Sequence, residues 1–304
     1  MSTVPAILKP STEWRAFALR RASDYWTLTK PEVNFLVVIS ALAGFYAASH
    51  GPLDWMLLAH TLVGTLLVAS GTATLNQLME RARDARMRRT SQRPLPAGRM
   101  PALHALWFGM FLSVAGGAYL LVAVNALACI LAMSTLLTYL LVYTPLKQRT
   151  PWCTFLGAFP GAAPPLIGWA GAAGSLSVDA WVLYGILFLW QFPHLLAIAW
   201  MYREDYRRAG FPLLPIVEPD GGSTGRQAVI YAAALLPLSL APTAAGMTGI
   251  VYLVGAAVMS AGFFALAVRF AWHRATPDAR KLFFGSILYL PLLWILMVVN
   301  RVAS

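Results

Sequence analysis

The stretch NQLMERARDARMRRTSQRPLPAG, residues 76–98, is the most charged part of a chain that is otherwise mostly apolar. With Arg99 it holds seven arginines against two acidic residues, Glu80 and Asp84. Asn76, Glu80 and Asp84 recur at i, i+4 and i+8, so on a helix they lie on one face and span about 12 Å along its axis. Two carboxylates and an amide can hold a divalent cation, and arginines can bind phosphate in bidentate fashion. The spacing therefore predicts a site for a metal-bound diphosphate on an apolar molecule, although such a run can also be charge that only orients a membrane protein.

Apolar segments long enough to cross a bilayer lie on both sides of this stretch. Of 304 residues, 59% are hydrophobic and only 12% are charged, which is typical of a polytopic membrane protein. The segments lack the alternation of a transmembrane β-barrel, so we expect helices. The predicted fold is an all-α membrane protein with nine transmembrane helices around a central cavity that opens to the cytoplasmic side. The nine predicted segments are residues 34–49, 53–78, 102–121, 124–143, 152–172, 178–201, 228–245, 250–270 and 282–300.

The positive charges predict the orientation. Of the 23 Lys and Arg, all except Arg301 lie in stretches that the predicted segments place on one side of the membrane. This pattern places residues 1–33 in the cytoplasm as an N-terminal tail and the C-terminus outside, which requires an odd number of spans. We therefore expect residues 34–304 to form one transmembrane domain, in a bacterial inner membrane. The pI near 10.1 then reflects topology and does not indicate nucleic-acid binding. An organellar transit peptide is the alternative interpretation of the N-terminal residues, and their acidic residues disfavour it.

A second polar region follows the fourth segment. It reads YTPLKQRTPW and contains Tyr143 and Lys147. A stretch rich in small residues and proline, residues 157–171, comes next. Its glycines and prolines loosen a helix and allow a ligand or a neighbouring helix to approach closely.

The sixth segment carries polar residues inside an apolar run. Gln191 and His194 lie within WQFPHLLAIAW, and Glu204 and Asp205 follow it among arginines. Polar groups at membrane depth are costly and indicate function by default. Two alternatives stay open at this point: the histidine is satisfied by a neighbouring helix, or the acidic and basic cluster is a solvated surface.

These motifs together resemble a known family. From LTKPEVNFL (residues 28–36) to the last segment, the chain resembles the UbiA superfamily of intramembrane prenyltransferases, and within it the haem O synthase family. The run NQLMERARDARMRRTSQRPL is similar to the first acidic motif of the superfamily. RTSQRPL, WQFPH and EDYRRAG are the parts specific to the haem branch. The chain departs from the usual pattern at Glu80, where many members have Asp, and at Glu32, where many have Arg. The second motif is usually a pair of aspartates, and here that region contains His194, Glu204 and Asp205.

The resemblance implies a reaction and a set of partners. Farnesyl diphosphate and protohaem IX (haem B) would give haem O and diphosphate, through transfer to a vinyl group and addition of water, as a step in haem A and terminal oxidase cofactor biosynthesis. The implied cofactor is Mg²⁺, and the further partners would be haem A synthase or terminal oxidase assembly factors.

The expected roles divide the candidate residues into four overlapping groups. The catalytic group is Asn76, Glu80, Asp84 and Lys147. The metal ligands are Asn76, Glu80, Asp84 and Asp205. The diphosphate-binding group is Arg88, Arg89, Arg93 and Lys147. The acceptor-binding group is Tyr143, Trp190, Gln191, His194 and Arg203.

Two rival functions use the same sequence features differently. A prenyltransferase that acts on a quinone precursor would share the diphosphate site and differ in its acceptor pocket, so haem binding separates the two. A transporter should have charged residues along a path through mid-membrane and inverted repeats. Here the charge is concentrated at one face, which favours a catalytic cavity open on one side.

Overall fold

The structure is a computed structural model that describes residues 10–302. Within that range the regular secondary structure is helical, and the one β pairing is an isolated bridge between Thr248 and Arg301. The helices are α1 Pro10–Leu28, α2 Pro31–Ala48, α3 Trp55–Asp84, α4 Ala102–Ala123, α5 Ala126–Thr138, a π-helical turn Tyr139–Tyr143, α6 Thr144–Leu146, α7 Cys153–Gly161, α8 Pro164–Ala173, α9 Val178–Met201, α10 Arg203–Ala209, α11 Leu214–Val217, α12 Gly222–Ala244, α13 Ile250–His273 and α14 Thr276–Val299.

Eight helices of the described residues are long and apolar enough to cross a membrane. They are α2, α3, α4, the continuous helix Ala126–Leu146, α9, α12, α13 and α14. The protein is therefore an integral membrane protein, and the predicted all-helical polytopic fold is confirmed.

The predicted count of nine transmembrane helices is not confirmed, because the fifth segment is broken. Residues 152–172 form the short helices α7 and α8, separated at Ala162 and Ala163. Pro164 and Pro165 follow the break, and neither can donate the backbone hydrogen bond that would continue α7. The pair runs from the charged end of the bundle, beside Lys147, to the opposite end, where α8 meets the end of α2. This part of the chain therefore crosses the bundle in two pieces.

Close packing of α2 against α8 depends on small residues. A Cβ at Gly168 would fall on the carbonyl oxygen of Ala41, and one at Gly44 would fall on that of Pro165. Contact this close is how helices associate in a bilayer, where lipid tails are as apolar as the side chains. The crossing fixes the broken helix against α2.

The length of α3 carries its last turns out of the apolar region. Asp54 begins the helix as an N-cap, its side chain accepting a hydrogen bond from the backbone N–H of Leu57. The helix then continues for 30 residues, to Asp84. Its last three turns are therefore presented at the charged end of the bundle.

The end of α1 packs against the last part of the loop between α3 and α4 and against the start of α4. Leu28 lies in a buried cluster with Leu95, Met100 and Ala105. Gln77 donates its side-chain amide to the carbonyl oxygens of residues 27 and 28. These contacts hold the link between α1 and α2 over α3. The cytoplasmic location of residues 1–33 stays a prediction, and residues 1–9 lie outside the described part of the chain.

Candidate functional site

Three polar side chains on one face of α3 are buried at the charged end of the bundle. Asn76, Glu80 and Asp84 are 2%, 4% and 3% exposed. Such burial costs free energy unless each polar group has a partner. The partners come from three other segments of the chain, so the row on α3 is the point at which these segments meet.

The middle of the row is an ion pair. Lys147, just after α6, places its Nζ 3.1 Å from both carboxylate oxygens of Glu80. The same ammonium lies over the rings of Phe211 and Tyr143, at 4.8 and 5.9 Å from their centroids. Burial opposes the charge on Lys147, but the Glu80 carboxylate outweighs this and raises the pKa of Lys147 above its usual range. The lysine therefore remains protonated at the site.

The deep end of the row holds a second lysine. Lys30 Nζ donates to Asn76 Oδ1 at 2.8 Å, and Asn76 donates to Thr144 Oγ1 at 3.1 Å. Burial lowers the pKa of Lys30 to about 8, and repulsion from Arg93 adds to the effect. The backbone of Lys30 is left-handed, with φ 50°. Such strain in a non-glycine residue concentrates at functional sites.

The outer end of the row is an arginine pair. Arg93 Nη1 lies 2.9 Å from Asp84 Oδ2. The loop that brings Arg93 back is anchored on the same residue, since Thr90 donates its hydroxyl to the Asp84 backbone oxygen at 2.9 Å. Three cations from three segments thus face the α3 row.

Two of the predicted arginines lie at the rim of this arrangement. The backbone N–H of Arg89 donates to Asp205 Oδ2 at 3.2 Å, and its guanidinium lies 4.9 Å from the centre of the Tyr202 ring. Arg88 is exposed and lines the same surface groove. Asp205 forms its ion pair with Arg208. Among the described residues no three His, Cys, Asp or Glu side chains are grouped to hold a metal. The expected grouping of Asp205 with Glu80 and Asp84 is therefore not seen.

An apolar cavity of about 240 Å³ lies next to the charged row. Lys30 and Tyr139 line the end nearest the row, and Asn34 together with small or aliphatic side chains from α2, α3, α5, α7 and α8 lines the rest. The volume is just below the roughly 300–1,000 Å³ of typical ligand pockets, which suits one slender chain. The charged row and the apolar cavity are therefore adjacent, as the binding of an amphiphile with a phosphate head group requires.

Comparison with known proteins identifies the family. A family model described as "UbiA prenyltransferase family" matches residues 37–290. The chain belongs to the UbiA prenyltransferase family. The protein named "Protoheme IX farnesyltransferase" of Solibacter usitatus (strain Ellin6076) is 49% identical, over 91% of this chain and 98% of the relative. A protein of the same name from Koribacter versatilis (strain Ellin345) is 44% identical, over 91% and 93%.

Solved structures share the fold. A digeranylgeranylglyceryl phosphate synthase superposes with a TM-score of 0.76 at 19% identity, covering 92% of this chain and 98% of that one. A UbiA homologue from Archaeoglobus fulgidus, bound to GPP and Mg²⁺, has a TM-score of 0.60 at 14% identity, covering 91% and 99%. At these identities the likeness shows the fold alone.

The predicted acceptor residues of this UbiA family protein are dispersed. His194 turns towards α14, with Nδ1 2.7 Å from Ser286 Oγ, and its ring stacks between Trp190 and Phe283 at 4.8 and 5.2 Å. Trp190 donates its indole N–H to the Ser286 backbone oxygen. These contacts favour the alternative of a histidine satisfied by a neighbouring helix, and its haem role stays a prediction.

The other predicted acceptor residues differ in their distance from the charged row. Tyr143 lies beneath Lys147, as described above, and is part of the site. Gln191 donates to the Ala158 backbone oxygen and lies against Gly161, which lines the cavity. Arg203 is bound to the Trp200 carbonyl oxygen and the Thr276 hydroxyl, away from the row.

Two site residues were missing from the sequence prediction. The charge pattern places Lys30 in the cytoplasmic tail, although its position directly before the first apolar segment is a usable signal. Tyr139 lies in an apolar run, begins the π-helical turn Tyr139–Tyr143 and lines the cavity. Single π turns occur often at functional sites, but no sequence pattern predicts this one.

Proposed function

We propose that this protein transfers the farnesyl group of farnesyl diphosphate to a vinyl group of haem B, with addition of water, to give haem O and diphosphate. The observation that carries the proposal is the buried row of Asn76, Glu80 and Asp84, which faces three cations and adjoins an apolar cavity. The name of the relatives at 44–49% identity supports this choice of donor and acceptor.

The α3 row fits a magnesium diphosphate. Mg²⁺ keeps several waters and is commonly bound by one or two carboxylates together with phosphate oxygens, so Glu80 and Asp84 suffice and Asn76 adds an amide oxygen. When bound, the ion neutralises charge that builds up on the leaving diphosphate. Membership of the UbiA family, one of whose solved structures contains GPP and Mg²⁺, supports a divalent metal.

The cations of the site are held ready for the phosphate groups. Lys147, Lys30 and Arg93 each contact a member of the row. We expect them to turn from the carboxylates and the amide to the phosphate oxygens as the substrate binds. Fixed charges of this kind lower the barrier to breaking the bond between the prenyl C1 and oxygen, because they stabilise the electron pair that leaves with the diphosphate.

Breaking of this bond leaves an allyl cation on the prenyl group. This cation then meets the acceptor in a site from which water is largely excluded. The π electrons of the haem vinyl group form a bond to the prenyl C1, and the cation left on the haem side is captured by water, which loses a proton. The rings of Tyr143 and Tyr139, 4.8 Å apart, lie at the junction of charge and cavity and can stabilise the allyl cation. Stray water at that point would instead hydrolyse the cation.

We also propose that the charged end faces the cytoplasm of a bacterial cell, with the protein in the inner membrane. The distribution of Lys and Arg supports this orientation. Farnesyl diphosphate, a charged molecule, would then reach the site from the compartment in which its head group is soluble.

The decisive experiment is a reconstituted reaction. Purified protein in lipid nanodiscs, incubated with haem B, farnesyl diphosphate and Mg²⁺, should form a pigment with the mass of haem O, separable by chromatography. Glu80→Gln should form none. Prenylation of a quinone precursor in place of haem under the same conditions would refute the assignment of the acceptor.

A further inference from the structure

The apolar cavity has a definite direction and depth. Along α3, its wall begins next to Asn76 and continues through Ala73, Ala69 and Thr65, about one turn apart. Helix α5 runs parallel to α3 and follows the same course, since Tyr139 lines the mouth and Ala132 lies two turns deeper on α5. The cavity is therefore a channel that leads from the diphosphate site into the membrane part of the bundle.

The channel has a packed end. Val68, Ala132 and Ile167, from three different helices, line its deep part and belong to one buried apolar cluster. They are 4%, 1% and 3% exposed. A chain that reaches this point meets tightly packed side chains and not lipid. Beyond them the cluster continues to Leu120 and Ala128, both fully buried.

The depth of the channel can be compared with prenyl chains. From Asn76 to Thr65 the helix rises about 16 Å, at roughly 1.5 Å per residue. With carbon–carbon bonds of about 1.5 Å, an extended isoprene unit of four backbone bonds advances about 5 Å. Three units therefore fill the channel, and a fourth would have to enter the packed end.

We propose that this channel selects the length of the prenyl chain, with Ala69 leaving room for the third isoprene unit and Ile167 blocking a fourth. The proposal rests on the proposed function and deepens it, because it assigns the selection of a C15 donor to particular residues. Ala69 lies about 10 Å from Asn76 along α3, the length of two units. A large side chain there would close the channel to the third.

One alternative course for the chain is visible in the structure. Val33 lines the cavity near its mouth and is 56% exposed. A prenyl chain could leave sideways past Val33 into lipid, where its length would not matter. If the prenyl chain ends at the packed side chains, substitutions there should change the preferred chain length. If it leaves past Val33, the same substitutions should leave the preference unchanged.

The test compares C10, C15 and C20 prenyl diphosphates with haem B as acceptor. We expect Ala69→Phe to shift the ratio of kcat/KM for C10 over C15 at least tenfold towards C10. Ile167→Ala should shift the ratio of C20 over C15 at least tenfold towards C20. The matched control is Ala59→Phe, the same substitution on an exposed position of α3, which should keep the parent ratios.

The outcomes separate the two proposals. If Ala69→Phe and Ile167→Ala fold, remain active and keep the parent ratios, the channel does not select chain length, whereas the reaction itself stands. If the parent protein converts none of the three diphosphates, the proposed function fails first. Folding is checked by size-exclusion chromatography in detergent, and Ala69→Leu replaces the phenylalanine variant if the latter aggregates. A C10 shift in Ala69→Leu supports the proposal, and unchanged ratios overturn it.

Discussion

Replacement of Lys147 by methionine should destabilise the protein strongly. The substitution keeps most of the apolar stem and removes the ammonium that contacts both oxygens of Glu80. The Glu80 carboxylate is then left buried without its main partner. Removal of one partner of a buried ion pair costs more than the pair is worth, because the remaining charge has lost its water as well.

The size of the effect follows from burial. Loss of one partner of a buried pair typically costs about 3–5 kcal/mol. The side chain of Glu80 is 4% exposed and that of Lys147 is 15% exposed, so some water can enter once the lysine is gone. We therefore expect the lower end, about 3 kcal/mol, which lowers the folding equilibrium constant by roughly a hundredfold at 1.4 kcal/mol per factor of ten.

The double variant Glu80→Gln with Lys147→Met separates stability from function. Without either charge, no uncompensated carboxylate remains, so the double variant should lie within about 1 kcal/mol of the parent and show a coupling energy of at least about 2 kcal/mol. It should still be inactive, because both groups proposed to act on the magnesium diphosphate are missing.

Unfolding free energies can be measured in mixed micelles by denaturant titration, with haem O formation assayed on the same preparations. Glu204→Gln is the control, because Glu204 pairs with Arg207 on an exposed surface and should change stability by about 0.5 kcal/mol or less. Additive effects of the two single substitutions would refute the role of the pair in stability. A fully active double variant would refute its role in the reaction.

Four further outcomes are expected. Asp84→Asn should lower turnover at least a hundredfold with normal folding, and chelation of divalent ions should abolish parental turnover; activity that survives chelation contradicts the metal site. His194→Ala should lower the unfolding free energy by about 2 kcal/mol through lost packing and weaken neither substrate selectively, whereas a selective loss of haem binding would support the predicted acceptor role. A cysteine at Ser91 should react from the cytoplasmic side and one at Ser175 from the outer side, and the reverse pattern or labelling from one side refutes the predicted topology. Gly168→Leu should prevent α8 from packing on α2, at a cost of about 3 kcal/mol or more, and a parental melting temperature would contradict this.

The local part of the site was predictable because it lies within one helix. Asn76, Glu80 and Asp84 share a face through the helical repeat alone, and their burial agrees with that spacing. Their partners were harder to predict. Lys147 is 67 residues from Glu80 and Lys30 is 46 residues from Asn76. The sequence suggested Lys147 through its motif, whereas the position of Lys30 before the first apolar segment did not by itself indicate which helix it contacts.

The count of spanning helices shows a different limit. Hydropathy over residues 152–172 measures the composition of a segment and not the continuity of its hydrogen bonds. Pro164 and Pro165 interrupt the backbone ladder without lowering the apolar content, so a segment of sufficient length became two short helices. The break brings Gly161 to the cavity wall, a placement that depends on the broken geometry.

The sequence by itself determined the membrane environment, the helical class and the charged end of this protein, because these depend on residue type and on periodicity along the chain. Only the tertiary structure decided which way each helix faces. A soluble helix shows its buried face as an apolar stripe, but α9 is apolar on nearly all sides. Its rotation is therefore set by packing and by interhelical hydrogen bonds. That rotation turns His194 to Ser286 and leaves the cavity to Tyr139 and the small residues of α3.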